Sequence, residues 1–166
     1  MKKYKVLFCD LDGTLIETIS GAIFPKGIWD MKFKFDVLDA IKKLAPEKVF
    51  IVSNQGGIEK GFVDILYFQQ KLIYIQLAIR EYIKNNEVYS SFCIYNNKNC
   101  NERKPNTGML DKFWKTVPYF IKKDNALMIG DASGLEGQFS DSDKKTAENF
   151  EIDYLDVNEF VKLYNK

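Results

Sequence analysis

Short apolar runs recur along the chain at 6–9, 49–52, 91–95 and 126–129, with a weaker one at 152–155. Runs of four or five residues without polar alternation suit strands that are covered on both faces. Between them, apolar positions fall at helical spacing: at Val37, Ile41 and Leu44, then over about 63–84, 109–120 and 142–150. Strands alternating with helices predict an α/β fold of three layers, Rossmann-like, around a five-stranded and mainly parallel sheet. The excursion at about 16–34, with Gly21, Pro25 and Gly27, breaks the pattern. It is too short for a large cap domain and is expected to form a hairpin or flap. No repeat or low-complexity linker divides the chain, so residues 1–166 are expected to form a single domain.

Ligands of open parallel sheets gather at the carboxyl ends of the strands, where the crossing loops meet. The first strand runs into Asp10-Leu11-Asp12-Gly13-Thr14 and the second into Ser53-Asn54-Gln55-Gly56-Gly57. The fourth runs into Gly130-Asp131-Ala132-Ser133-Gly134, and a polar loop after the third leads to Arg103-Lys104-Pro105. Polar or glycine-rich sequence thus sits wherever a site is expected.

Composition narrows the chemistry. The 166 residues contain no histidine, which removes the commonest general base, the commonest zinc ligand and every histidine-dependent triad. Carboxylates must then carry acid/base work and metal binding, and oxygen ligands suit a hard cation such as Mg2+. The net charge of +1 offers no global basic field for nucleic acid, so polyanion contacts would be local. No apolar run approaches the length of a membrane span, and the lysine-rich start flows directly into a strand, so a cytoplasmic protein without a membrane partner is expected. Cys9, Cys93 and Cys100 form no close CxxC pair and fit a reducing compartment.

Asp10 and Asp12, two apart at a strand end, can point the same way, while Gly13 permits a tight turn and Thr14 adds a hydroxyl. Asp10 is the candidate nucleophile on phosphorus, and Asp12 the acid that protonates the leaving oxygen and then activates water. Phosphoryl transfer otherwise needs positioning and charge neutralisation. Ser53 can donate to a phosphate oxygen, Lys104 can neutralise charge, and Asp131 can complete a magnesium site with the Asp10 carboxylate and the Asp12 backbone carbonyl. Each piece alone has a plainer meaning: an Asp-Leu-Asp-Gly turn, a serine helix cap, a solvated lysine. It is their succession after consecutive strands that points to one site.

These residues resemble the four motifs of the haloacid dehalogenase superfamily of phosphohydrolases, matched by Asp10-Leu-Asp-Gly-Thr14, Ser53, Lys104 and Gly130-Asp131. Within it the chain looks most like the 3′-phosphatase domain of polynucleotide kinase/phosphatase. That likeness rests on Ser20-Gly-Ala-Ile-Phe-Pro25, Ser53-Asn-Gln-Gly-Gly-Ile58, Arg103-Lys-Pro-Asn-Thr-Gly-Met109, Gly130-Asp-Ala-Ser-Gly134 and Phe139-Ser-Asp-Ser-Asp143. The resemblance implies a capless, magnesium-dependent phosphatase with catalytic Asp10, Asp12, Ser53 and Lys104, and with metal on Asp10, Asp12 and Asp131. Leu11, Gly13, Thr14, Asn54, Gln55 and Arg103 would flank the substrate. Asp143 would support the metal or a neighbouring loop, or simply suit its helix N-terminus. Cys93 and Cys100 are too few ligands for the zinc loop of the related histidinol-phosphate and heptose-bisphosphate phosphatases. No GxxxxGK[ST] loop occurs, so no kinase half is expected within this sequence.

Three functions stay open at this stage. An uncapped edge admits the end of a polymer, which favours 3′-phosphate removal from DNA or RNA ends in DNA repair, with a separate kinase or ligase as partner. Lys122-Lys123, Lys144-Lys145 and Arg103 would then meet the backbone, and Phe24, Trp29, Phe33 or Phe35 a base. The alternatives are a phosphatase of a small sugar or amino-alcohol phosphate, and a catalytically silent binding domain.

Overall fold

In the computed structural model, which describes residues 2–22 and 24–166, the alternation of side chains along one central strand sets the layers. Met1 and Ile23, the latter within the 16–34 excursion and the 20–25 motif, lie outside the described residues. Strand β1 (Val6–Cys9) is buried throughout. Val6 and Phe8 enter one apolar cluster and Leu7 and Cys9 the other, as the two-residue pleat requires. β1 is flanked in parallel by β4 (Lys48–Asn54) and β6 (Ala126–Gly130), with β5 (Val88–Cys93) beyond β4 and β7 (Asp153–Asp156) beyond β6. The sheet order is β5-β4-β1-β6-β7, and every pairing in it is parallel.

Helices α1 (Phe35–Leu44), α3 (Ile65–Ile83) and α6 (Val157–Tyr164) cover the Leu7 face with Val37, Ile41, Phe68, Ile75, Ile79 and Phe160. Helices α4 (Gly108–Trp114) and α5 (Ser142–Phe150) cover the Phe8 face with Met109, Leu110, Ala147 and Phe150. Caps fix where the helices begin. The Asp64 carboxylate accepts from the Leu66 and Tyr67 N–H groups to start α3, and Asp156, the last residue of β7, accepts from Asn158 to start α6. A single turn, α2 (Gly56–Glu59), follows β4. The 16–34 excursion is an antiparallel pair, β2 (Ile16–Glu17) with β3 (Lys32–Phe33). The Asp30 carboxylate closes its tip by accepting from Ser20 N, Ser20 Oγ and Lys26 N.

Three elements differ from the sequence expectation. The third sheet strand begins at Val88 and ends at Cys93 rather than spanning 91–95. It is an edge strand with one neighbour, so the half-exposed Ser90 and Ser91 are tolerated, and Arg80 holds its start by donating to Val88 O. α4 stops at Trp114, where Thr116 Oγ1 takes the Phe113 carbonyl and Pro118 can donate no further backbone bond. α6 had no counterpart in the pattern of runs. Among the described residues no helix is long and apolar enough to cross a membrane.

Phe8 is fully buried and meets the rings of Phe50 and Phe150 at 5.2 Å and 5.9 Å. Phe8→Ala is expected to cost about 3–5 kcal/mol of unfolding free energy, measured by urea denaturation. A loss below about 1 kcal/mol would show that this aromatic centre does not hold the layer.

Candidate active site

The sheet order makes β1 and β6 neighbours at the point where the winding of the chain reverses, which opens a crevice beyond their carboxyl ends. Asp10 follows β1 there and its N–H donates to Ile129 O of β6 at 3.0 Å. Asp131 follows β6. Two glycines permit the approach of the acids. Gly13 has φ +83°, and a Cβ on it would stand 2.0 Å from Asp131 Oδ2; a Cβ on Gly130 would stand 2.2 Å from Asp143 Oδ2. As a result, one carboxylate oxygen from each of Asp10, Asp131 and Asp143 lies within 4.8 Å of the others.

Lys104 enters from the loop after β5. Its Nζ donates to Asp10 Oδ1 at 2.6 Å and to Asp143 Oδ1 at 2.7 Å, and its side chain is 2% exposed. Its backbone is clamped by the Asn54 side chain, which accepts from Lys104 N at 3.0 Å and donates to Lys104 O at 2.9 Å. Asp143, 1% exposed, also accepts from Ala132 N at 3.1 Å, so one acid ties α5, the Asp131 loop and Lys104 together.

One ammonium cannot balance three crowded carboxylates. Burial pushes the Asp10 carboxyl up to about 8; Lys104 opposes this, while Asp143 and Asp131 add to it. Burial and Asp143 push Asp131 up to about 6. Burial alone would lower the Lys104 ammonium, but Asp10 and Asp143 outweigh it and hold the group above its ordinary range. A cluster that retains protons for want of positive charge has the character of a cation site.

The remaining sequence candidates separate by position. Asp12 is exposed, and its Oδ2 accepts from Gln55 Nε2 at 2.7 Å; the same amide donates to Ser53 Oγ at 2.8 Å. Gln55 therefore spans the acid of the first loop and the hydroxyl of the second. Thr14 Oγ1 faces Asp10 Oδ2 at 3.4 Å. The Leu11 side chain is fully buried in the core, which leaves only its backbone for a ligand. Arg103 donates to Tyr95 O. Lys122 and Lys123 precede β6 at the amino edge of the sheet, with Lys123 Nζ on Phe150 O, so that pair lies at the wrong end for the site. Lys145 is paired with Asp141 at 2.6 Å. Trp29 and Phe33 pack against Tyr74 of α3, and Phe35 packs against Tyr82, whereas Phe24 is 74% exposed.

Two residues stand closer to the centre than sequence reasoning put them. Asp143 is a full member of the acidic cluster; its signals were the Phe139–Asp143 motif, which left it as a support for the metal or a neighbouring loop, and an acid in the first turn of the helix after the fourth strand. Lys34 Nζ donates to Gly13 O at 2.8 Å from beside β3, and no motif marks it.

The sequence matches the family described as polynucleotide kinase 3 phosphatase over residues 5–161. A 20.8 kDa protein from the FGF–VUBI intergenic region of Autographa californica nuclear polyhedrosis virus is 32% identical over 173 residues, covering 98% of this chain and 88% of that protein. The bifunctional polynucleotide phosphatase/kinase of Schizosaccharomyces pombe is 34% identical over 164 residues, covering 96% of this chain and only 38% of the yeast protein. The D,D-heptose 1,7-bisphosphate phosphatase of B. bronchiseptica, solved with magnesium and phosphate, shares the fold with a TM-score of 0.67 at 18% identity, over 92% of this chain and 78% of that one. With a family match that runs from β1 into α6, the chain belongs to the polynucleotide kinase 3 phosphatase family and is a phosphatase of the haloacid dehalogenase type.

Proposed function

We propose that the chain is a magnesium-dependent phosphomonoesterase that works through an aspartyl-phosphate on Asp10 and removes 3′-phosphate from nucleic acid ends. The observation that carries the chemistry is the buried Lys104 ammonium shared by Asp10 and Asp143, with Asp131 beside them at the switch point. A carboxylate oxygen of Asp10 attacks phosphorus as the ester bond to the leaving oxygen breaks, and Asp12 supplies the proton that oxygen needs. Asp12 then takes a proton from the water that attacks phosphorus, releasing phosphate and restoring Asp10. Lys104 and Ser53 hold the phosphoryl oxygens, and Gln55, bonded to both Asp12 and Ser53, keeps acid and phosphate donor in fixed relation.

The oxygen-only, proton-retaining cluster fits a hard divalent cation. Asp10, Asp131 and the Asp12 backbone carbonyl would hold magnesium, with Asp143 adjoining. When bound, the ion supplies the positive charge that the carboxylates and the substrate phosphate together lack.

Family membership supports a 3′-phosphorylated polynucleotide as substrate, and so does the form of the excursion after β1, a short two-stranded hairpin packed on Tyr74 of α3 and not a large cap. A cytoplasmic role in DNA repair follows from the same proposal, with residues 1–166 acting as one phosphatase unit and a separate kinase or ligase working on the same ends.

Phosphate release with magnesium from a 3′-phosphorylated oligonucleotide is expected to exceed that from heptose and amino-alcohol phosphates, and Asp10→Asn is expected to lower it roughly 10³-fold or more. Turnover confined to the small esters would overturn the polynucleotide assignment. Full activity in Asp10→Asn would overturn the mechanism.

The raised acids also set a pH dependence. Asp10 and Asp131 titrate higher in the folded chain than an ordinary carboxyl near 4. Without metal the folded state therefore holds more protons than the unfolded state between about pH 4 and 8, and stability falls as pH rises through that window. Magnesium competes with those protons, so its thermal stabilisation is expected to grow from pH 5 to pH 8, by several degrees at roughly 2–4 °C per kcal/mol. Asp10→Asn is expected to flatten both trends. A magnesium shift independent of pH would count against the cluster as the ion's site.

A further inference from the structure

Cys93 and Cys100 meet in the structure. Their Sγ atoms are 3.6 Å apart and unbonded, in van der Waals contact, with Cys93 buried at the end of β5 and Cys100 half-exposed in the asparagine-rich loop that follows. The pair uses none of the chemistry assigned to the acidic cluster, yet both backbones hold parts of it. Cys93 O accepts from Gln55 N at 2.7 Å, anchoring the residue that joins Asp12 to Ser53. Cys100 O accepts from Arg103 N at 3.0 Å and from Asn106 Nδ2 at 2.9 Å, anchoring the turn that presents Lys104.

From this contact and these anchors we propose that Cys93 and Cys100 are an oxidative modification site for hydrogen peroxide, forming a disulfide that displaces the Lys104 loop. Cys100, the accessible thiol, attacks the peroxide O–O bond as its thiolate. The S–O bond forms as the O–O bond breaks, giving a sulfenic acid and, once the departing oxygen takes a proton, water. The Cys93 sulfur then attacks the Cys100 sulfur, the S–O bond breaks, and a second water leaves with the Cys93 proton. Two thiols lose two electrons and two protons, and one peroxide becomes two waters. The order of attack follows from the environments, because burial raises the Cys93 thiol and makes it the resolving group. Closing the bond draws the sulfurs together by roughly 1.5 Å, to a length of about 2 Å. Lys104 itself is clamped by Asn54, so the displacement falls on 94–103 and on its hydrogen bonds to the Lys104 turn.

The disulfide is read by mass, independently of catalysis; its effect on phosphate release rests on the proposed function. Stoichiometric hydrogen peroxide is expected to remove two hydrogens from the full chain, with a Cys93–Cys100 cross-linked peptide and with Cys9 still alkylated after denaturation. Phosphate release is expected to fall several-fold in step with the cross-link and to return with a thiol reductant, while Cys100→Ser neither cross-links nor loses activity under peroxide. Cysteines that stay reduced, or Cys100 oxidised to the sulfinic acid without a cross-link, would overturn the site. A complete cross-link with unchanged phosphate release would overturn its coupling to the Lys104 loop. A reduced chain that releases no phosphate from any ester would instead count against the phosphatase mechanism and leave the cross-link to decide the site.

Discussion

The Lys104 ammonium, buried between Asp10 and Asp143, is the constraint on which the rest of the site depends. A buried charge is tolerated only when paired and hydrogen-bonded, and removing one partner of such a pair typically costs about 3–5 kcal/mol. This cation joins three segments far apart in sequence: the loop after β1, the loop after β5 and the first turn of α5. The same pairing leaves carboxylates in excess. Burial, together with that excess, raises Asp10 and Asp131, and the proposed divalent-cation site rests on this unbalanced charge.

The supporting devices are small and specific. Gly13 and Gly130 carry no side chain where a Cβ would collide with Asp131 and Asp143, so the backbone makes room for acids to converge. Asn54 uses both ends of its amide on the Lys104 backbone, and Gln55 uses one end on Asp12 and Ser53. The positioning of Lys104 and of the Asp12–Ser53 pair is thus divided between neighbouring amides at the end of β4. The carbonyls of Cys93 and Cys100 hold that strand end and the Lys104 turn from beneath, which is why a thiol pair outside the crevice bears on its geometry.

Much of this was legible in the chain because strands buried on both faces read as continuous apolar runs. The runs at 6–9, 49–52 and 126–129 fall within β1, β4 and β6; Asp10, Asp12 and Asp131 lie in the loops after β1 and β6, and Ser53 near the end of β4 itself. The start of the edge strand β5 was misplaced by three residues, since its polar middle at Ser90 and Ser91 is permitted by having one neighbour and its start is held by the Arg80 bonds to Val88. The full membership of Asp143 in the cluster was hidden because an acid in a first helical turn has a sufficient local explanation. Only the absence of a side chain at Gly130 and the arrival of Lys104, 39 residues earlier in sequence, give it a second role. Lys34 and the Cys93–Cys100 contact are purely tertiary, set by how the hairpin and the loop after β5 fold back.

The most direct test of the account is acid-quench mass spectrometry of the chain during turnover of a 3′-phosphorylated oligonucleotide with magnesium. A phosphoryl group on the peptide containing Asp10, formed and lost at rates that sustain turnover, is the predicted result. Rapid turnover with no phosphoryl-enzyme on that peptide, or with the phosphoryl group on another residue, would contradict it.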